Sequence, residues 1–182
     1  HSQKKNAKKL LSINKNEIVI GTIGNQVSSK SHERIISLAK KLHNYKNLRF
    51  VILGGFIKSN QAYYYEKVLE PANKLGFIKN KKLQIIDCKD KVNNYLPAFD
   101  IFVLTSKYEG LPIALVEAMA AGLSVVSTDV GSIKNALKNN TGGYVVSSEN
   151  FDINVFAKLL IKLIKNKNLR KKFGINNNII VR

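Results

Sequence analysis

Six short runs rich in β-branched residues, separated by longer stretches with helical periodicity, constrain this chain more than any other feature of its sequence. They are EIVIGTIG (17–24), LRFVILGG (48–55), LQIID (83–87), IFVLTS (101–106), SVVSTD (124–129) and GYVV (143–146). Most are apolar almost throughout rather than at alternate positions, as expected of strands in a parallel sheet covered on both faces. Between them lie the helical patterns SHERIISLAKKLHNY, NQAYYYEKVLEPANKLGF, KVNNYLPAF, LPIALVEAMAAG and SIKNALKN, and two more, NVFAKLLIKLIKN and NLRKKFGINNNIIVR, close the chain. This alternation predicts βαβ units in a doubly wound α/β fold. In such sheets ligands sit beyond the carboxyl ends of the strands, where the strand order reverses. The loops after Gly24, Gly54, Asp87, Ser106 and Asp129 are therefore the places to look for a site.

A chain of 182 residues fits one domain with a sizeable core, and 45% hydrophobic with 23% charged residues is the composition of a folded globular protein. No apolar run reaches the roughly 18 residues needed to span a bilayer. The opening HSQKKNAKK lacks an apolar core and does not read as a secretory signal; without an initiator Met, it reads as an expression-derived lead-in or an excision point inside a longer protein. The single cysteine, Cys88, makes no internal disulfide, which fits a reducing compartment. Three histidines without ligand spacing, and that one cysteine, predict no metal site of the zinc type. The formal net charge of +18 predicts attraction to polyanions: nucleic acid, anionic lipid or phosphorylated ligands. A Lys- and Asn-rich chain with solvated helix faces accounts for the same number.

Two loops carry chemistry. The first, GNQVSSKSH after the first strand, joins a close-turning Gly24 to three serine hydroxyls and the Lys30 ammonium near a helix N-terminus, a combination suited to a phosphate. A Ser-rich loop with a solvated lysine would look the same. It contains neither G-x-x-x-x-G-K-[ST] nor G-x-G-x-x-G, which argues against ATPase and dehydrogenase readings. The second, SKYEGLPIALVEAMAAGLSVVSTD (106–129), sets Glu109 before a helix opened by Gly110 and Pro112, and Glu117 within that helix among Leu115, Val116, Ala118, Met119, Ala120 and Ala121. Pro is favoured in a first helical turn, where its missing N–H would have had no partner. A carboxylate between apolar neighbours needs a polar partner, since burying it unpaired costs several kcal/mol. An anion at the helix N-terminus with hydroxyl-bearing groups on either side would meet both acids.

YEGLPIALVEAMAAGLSVVSTDVGS, with NNTGGYVV further on, resembles the E-(x)7-E region of retaining glycosyltransferases of family 4 (group 1), in the C-terminal nucleotide-sugar-binding domain of the GT-B fold. The resemblance runs from Glu17 to about Lys172. It implies a mostly parallel, six-stranded Rossmann-like sheet with helices on both faces. It assigns 17–182 to donor binding and 1–16 to a linker or expression-derived lead-in, and implies an N-terminal acceptor domain absent from this chain. Carried over residue by residue, it gives Glu109 and Lys30 catalytic roles and Glu117 the ribose hydroxyls. Gly110, Leu111, Pro112 and Ile113 would hold the diphosphate or sugar, with Gly24, Asn25 and Cys88 completing the donor site. The base would lie near Asp87, Cys88 and Lys89. The implied donor is a UDP- or GDP-sugar, with no cofactor and no metal. The family's diphosphate loop has an Arg five positions before its Lys; this chain has Asn25 there, which removes one cation from the leaving group. A second departure follows Gly131, where the family commonly reads G-x-P-E and this chain has Ser132, Ile133, Lys134 and Asn135.

The expected function is donor binding in a cytoplasmic glycosyltransferase that builds a glycan on a polysaccharide, lipid or protein acceptor, peripheral contact with anionic membrane being compatible with the charge. The fragment alone would turn over poorly. The rivals are a basic nucleic-acid-binding module and a non-catalytic sugar-nucleotide-binding domain, with no specific nucleic acid expected on the first reading. Elsewhere, Tyr63 to Tyr65 suit either base stacking or a helix–sheet seam, and Gly54 and Gly55 either a close ligand approach or a tight turn. The Lys-rich helical pattern near the C-terminus suits packing on the sheet with its lysines in water, or anionic lipid.

Overall fold

The computed structural model describes residues 2–88, 91–110 and 112–181. Six strands, β1 (Ile18–Ile23), β2 (Leu48–Leu53), β3 (Leu83–Ile86), β4 (Ile101–Leu104), β5 (Ser124–Asp129) and β6 (Gly143–Ser147), form one sheet in the order β3-β2-β1-β4-β5-β6. Every neighbouring pair is parallel, so the doubly wound reading holds, and the order reverses between β1 and β4.

The strands read as continuous apolar runs because both faces are covered. Ile20, Phe50, Ile52, Leu83, Val103, Val126 and Tyr144 point into one core, shared with α2 (Glu33–Lys41), α8 (Ile153–Lys165), Val68 and Ala72. Val19, Val51, Leu53, Phe102, Leu104 and Val125 point into the other, against α6 (Ile113–Ala120) and α7 (Ile133–Ala136). Gly21 in β1 is needed for packing: a Cβ there would stand 2.0 Å from the buried Phe99 ring. Helix α9 (Lys167–Ile180) is fastened by fully buried Asn177, whose Nδ2 donates to the carbonyls of Leu123 and Gly142, each at 2.7 Å.

The stretch expected as a lead-in is ordered and packed. Helix α1 (Ser2–Leu10) buries Ala7, and Leu11 and Ile13 follow it into the second core. Lys8 is buried with it; its ammonium donates to the Glu17 carbonyl at 2.5 Å and lies 3.5 Å from Asp100. Burial pulls that ammonium below its usual pKa range, against the opposing pull of Asp100. α1 packs on the 3-10 turn Leu96–Ala98 and on α5 (Val92–Tyr95), so it forms a wall of the domain.

The segment 60–77, which reads as one helix, is a composite. It comprises α3 (Gln61–Tyr63), a π-helical turn (Tyr64–Leu69) and α4 (Glu70–Lys74). Periodicity finds the helix but not the turn, because the extra residue of an i→i+5 turn shifts the buried face without changing the helical composition of the segment.

Candidate active site at the switch point

The loops after β1 and β4 meet at the carboxyl end of the sheet, where the strand order reverses. Lys30 comes from a 3-10 turn (Ser28–Lys30) in the first and Glu109 from the second, 79 residues apart in sequence. The Lys30 ammonium donates to both carboxylate oxygens of Glu109, at 2.7 and 2.8 Å, and Ser106 Oγ donates to Oε1 at 2.6 Å. The Glu109 side chain is only 8% exposed and that of Lys30 25%. This burial separates the pair from surface salt bridges, which contribute little. An ammonium has three N–H groups, so Lys30 keeps one beyond the two donated to Glu109.

Backbone contacts lock the two loops together. Lys107 N–H donates to the Ser29 carbonyl at 2.7 Å, Arg34 donates to the Thr105 carbonyl at 2.9 Å, and Thr105 Oγ1 reaches the Lys30 and Ser31 carbonyls at 3.3 Å. The end of β5 closes on them: Thr128 Oγ1 donates to the Ser106 carbonyl at 2.8 Å. Gly131, at φ 55°, lies so close that a Cβ would stand 2.3 Å from the Glu109 carbonyl oxygen. Ser106, Thr105, Thr128 and Gly131 are thus the residues that sequence reasoning did not assign to the site. Their signal was positional, since all stand at the ends of strands beside the switch point. Where the family pattern has an acid after this glycine, Lys134 instead pairs with Asp129.

Gly24 gives the Lys30 stem its path, a Cβ there falling 3.2 Å from the Lys30 methylenes. Asn25, in the family's Arg position, accepts the Gly55 N–H on Oδ1 at 3.1 Å and so clips the β1 loop to the loop after β2. Asp87 Oδ1 comes near the same glycine, 3.5 Å from the position a Gly55 Cβ would take. Cys88 is buried in the second core, and its carbonyl accepts from Lys91 N–H at 2.8 Å. Leu111 and Lys89 lie outside the described residues.

Helix α6 starts beside Glu109. Its entry is set by buried Pro112, whose carbonyl accepts from Leu115 N–H at 2.9 Å; the preceding amides of Ile113 and Ala114 have no backbone acceptor among the described residues. Ile113 is exposed and Gly110 open, with nothing within 4 Å of a Cβ placed there. Glu117, in the second turn, is half-buried; its carbonyl accepts from Ala121 N–H at 2.9 Å, and its carboxylate makes no hydrogen bond or ion pair among the described residues. It opens onto a hollow of about 580 Å³ lined also by Gln3 and Asn6 of α1 and by Asn93 and Asn94. Glu109, which precedes the helix, and Lys30, which lies across the switch point from it, do not line that hollow.

Behind Lys30, His32 is 1% exposed and its Nδ1 lies 3.0 Å from Gln26 Oε1. Burial, reinforced by the neighbouring Lys30 charge, pushes its pKa down to about 3. The unfolded chain therefore binds this proton at higher pH than the folded one. His32 contributes stability above its ordinary value near 6.5, and that contribution is lost as pH falls toward 3. Urea unfolding between pH 7 and pH 4 should show stability falling with acid, and His32→Gln should flatten that slope. An unchanged slope would remove His32 as the titrating group.

The glycosyl transferases group 1 family model matches residues 3–178. An *Escherichia coli* UDP-Gal:alpha-D-GlcNAc-diphosphoundecaprenol alpha-1,3-galactosyltransferase is 26% identical over 96% of this chain, which spans 45% of that relative. A *Staphylococcus aureus* poly(ribitol-phosphate) alpha-N-acetylglucosaminyltransferase is 29% identical over 87% of the chain, which spans 30% of it. Among solved structures, the C-terminal domain of the group 1 protein LpcC from *Francisella tularensis* superposes with a TM-score of 0.83 over 98% of this chain and 90% of its own, at 22% identity. *Anabaena* HepE in complex with UDP-glucose gives 0.87 over 99% of this chain and 48% of its own, at 18% identity. With the family model matched over almost its whole length and its sheet built like the C-terminal domain of a GT-B enzyme, the chain belongs to the group 1 glycosyltransferases.

Proposed function

We propose that this chain is the donor-binding domain of a retaining glycosyltransferase that takes its sugar from a UDP- or GDP-sugar. The observation that carries the reading is the Lys30–Glu109 pair at the switch point, beside the open N-terminus of α6. The spare N–H of Lys30 and the amides of Ile113 and Ala114 would hold the diphosphate. Glu109 would accept from a sugar hydroxyl, and Glu117 from the ribose hydroxyls. When the anomeric C–O bond breaks, negative charge develops on the departing phosphate, and a fixed cation with helix-terminal dipoles stabilises it without reorganisation. The acceptor, a glycan or lipid-linked saccharide, would attack from the leaving-group face, held by an N-terminal domain. The HepE complex with UDP-glucose supports the donor class.

The enzyme would work in the cytoplasm. Among the described residues no helix is long and apolar enough to cross a membrane. Peripheral contact with anionic lipid is supported by a groove of about 1670 Å³ lined by Lys4, Lys5, Lys9, Lys167, Arg170 and Lys171. Asn25 favours a second reading, binding without transfer, because its amide is engaged with Gly55 and supplies no charge. A transfer assay on a protein that joins this chain to an acceptor-binding domain separates the two.

Thermal-shift titration with UDP, GDP and their sugars tests the donor assignment. One of them should raise the melting temperature, and Glu117→Ala should abolish the rise. Equal stabilisation of that variant would overturn the ribose role.

A further inference from the structure

The hydrogen bonds that hold the Glu109 carboxylate are unevenly shared between its oxygens. Oε1 accepts from Ser106 Oγ at 2.6 Å and from the Lys30 ammonium at 2.7 Å, whereas Oε2 accepts, among the described residues, from Lys30 alone, at 2.8 Å. A carboxylate offers about four acceptor positions, two on each oxygen. Oε1 is therefore filled from within the protein, and one position on Oε2 stays open to a ligand.

Ser106 is anchored from two directions. It lies two residues beyond β4 at 1% exposure, and its carbonyl accepts from Oγ1 of fully buried Thr128 in β5 at 2.8 Å. Thr105, just before it, donates back toward the Lys30 and Ser31 carbonyls of the β1 loop. The Ser106 hydroxyl is thus carried by a short side chain on a fixed backbone, while the Lys30 ammonium ends a flexible four-carbon stem. Its distance to Oε1 is that of a charge-assisted O–H···O⁻ bond, roughly twice as strong as a neutral one. The bond also spans only three residues, so it closes a local turn that does not depend on the β1 loop. The difference matters when an anion arrives. Lys30 then divides its N–H groups between the anion and Glu109, and Ser106 is the group that keeps the carboxylate aimed.

We infer that Ser106 is a positioning residue: by occupying Oε1 it fixes the Glu109 carboxylate and presents Oε2 to one hydroxyl of the donor sugar. The inference deepens the donor-binding reading above and rests on it. Deleting the hydroxyl removes orientation rather than charge. Lys30 still neutralises Glu109, so the fold and the diphosphate contacts are kept, but the carboxylate turns more freely about its terminal bond, a torsion with broad wells. A hydroxyl that served only to hold the loops together would behave differently, since loosening the segments that carry Lys30 and Glu109 would weaken nucleotide and nucleotide sugar alike.

The test is calorimetric titration of the 182-residue chain with UDP, GDP, UDP-glucose, UDP-galactose, UDP-N-acetylglucosamine and GDP-mannose. The readout is the Kd of a nucleotide sugar divided by that of its bare nucleotide. Ser106→Ala should raise this ratio about tenfold for a sugar that binds, the scale of one hydrogen bond to a charged group, while the Kd of the bare nucleotide changes less than about twofold. In a Glu109→Ala background, Ser106→Ala should change the ratio no further, because a residue that acts through another has no effect once that partner is gone. Thermal melts check that each variant folds. The inference is overturned if Ser106→Ala weakens nucleotide and nucleotide sugar equally, if it leaves the ratio unchanged, if its effect persists without the Glu109 carboxylate, or if the chain binds the nucleotides and none of their sugars. Nucleotide binding by the wild-type chain would survive each of these results. A folded wild-type chain that binds none of the ligands instead sinks the donor reading, and the inference with it.

Discussion

On the proposed donor-binding reading, Lys30→Met in a transfer-competent protein that contains this chain should lower transfer by roughly 10²- to 10³-fold, about 3–4 kcal/mol of transition-state stabilisation, a loss comparable to removing one preorganised donor to a developing oxyanion. The substitution also leaves Glu109, 8% exposed, with Ser106 as its remaining hydrogen-bond donor among the described residues. That uncompensated carboxylate should lower stability by about 1–3 kcal/mol, less than for a fully buried pair because Lys30 itself reaches solvent. The two effects can be separated. Adding Glu109→Gln to Lys30→Met removes the orphaned charge, so the melting temperature should recover while transfer stays low. If the double variant regained activity, Lys30 would be a structural partner of Glu109 and nothing more. If Lys30→Met alone kept full activity, the leaving-group role would fall.

Gly54→Ala should be among the most damaging single-methyl changes near the site. A Cβ at Gly54 would stand 1.9 Å from the Gly24 carbonyl oxygen and 2.4 Å from its carbon, and both belong to backbone that cannot swing aside. Overpacking of this kind costs about 3 kcal/mol or more, which in a domain of this size lowers the melting temperature by roughly 6–12 °C. It should also abolish stabilisation by UDP, because the β1 loop that carries Lys30 is the part displaced. Gly55→Ala is the matched control, its nearest neighbours lying at 3.4 and 3.5 Å, an ordinary contact distance. Calorimetry on the pair decides the point: equal melting temperatures would mean that the two loops are not in close contact.

Of the two readings offered for Gly54 and Gly55, the backbone geometry at Gly54 favours an internal one, a close approach of two loops of the same chain. The tyrosines divide similarly. Tyr63 and Tyr64 pack on the helix–sheet seam, while Tyr65 turns outward, a split that the π-helical turn produces and helical periodicity does not express. Lys-rich and lacking a long apolar run, residues 2–10 gave no sign of packing, yet Ala7, Leu11 and Ile13 are buried and Gln3 and Asn6 face Glu117 across a hollow. Short apolar side chains spaced among lysines carry little hydrophobic signal, and the lysine stems cover surface while their ammonium groups reach polar partners.

The sequence by itself determined the six strands and their coverage on both faces, and singled out Lys30, Glu109 and Glu117 as candidates, because period and local chemistry are properties of neighbouring residues. Only the tertiary structure decided that Lys30 meets Glu109 across 79 residues while Glu117 turns to a different hollow. It also decided that Asn25 is engaged by Gly55. Such pairings depend on which loops the strand order brings to the switch point and how closely their backbones approach, and no local pattern records either distance.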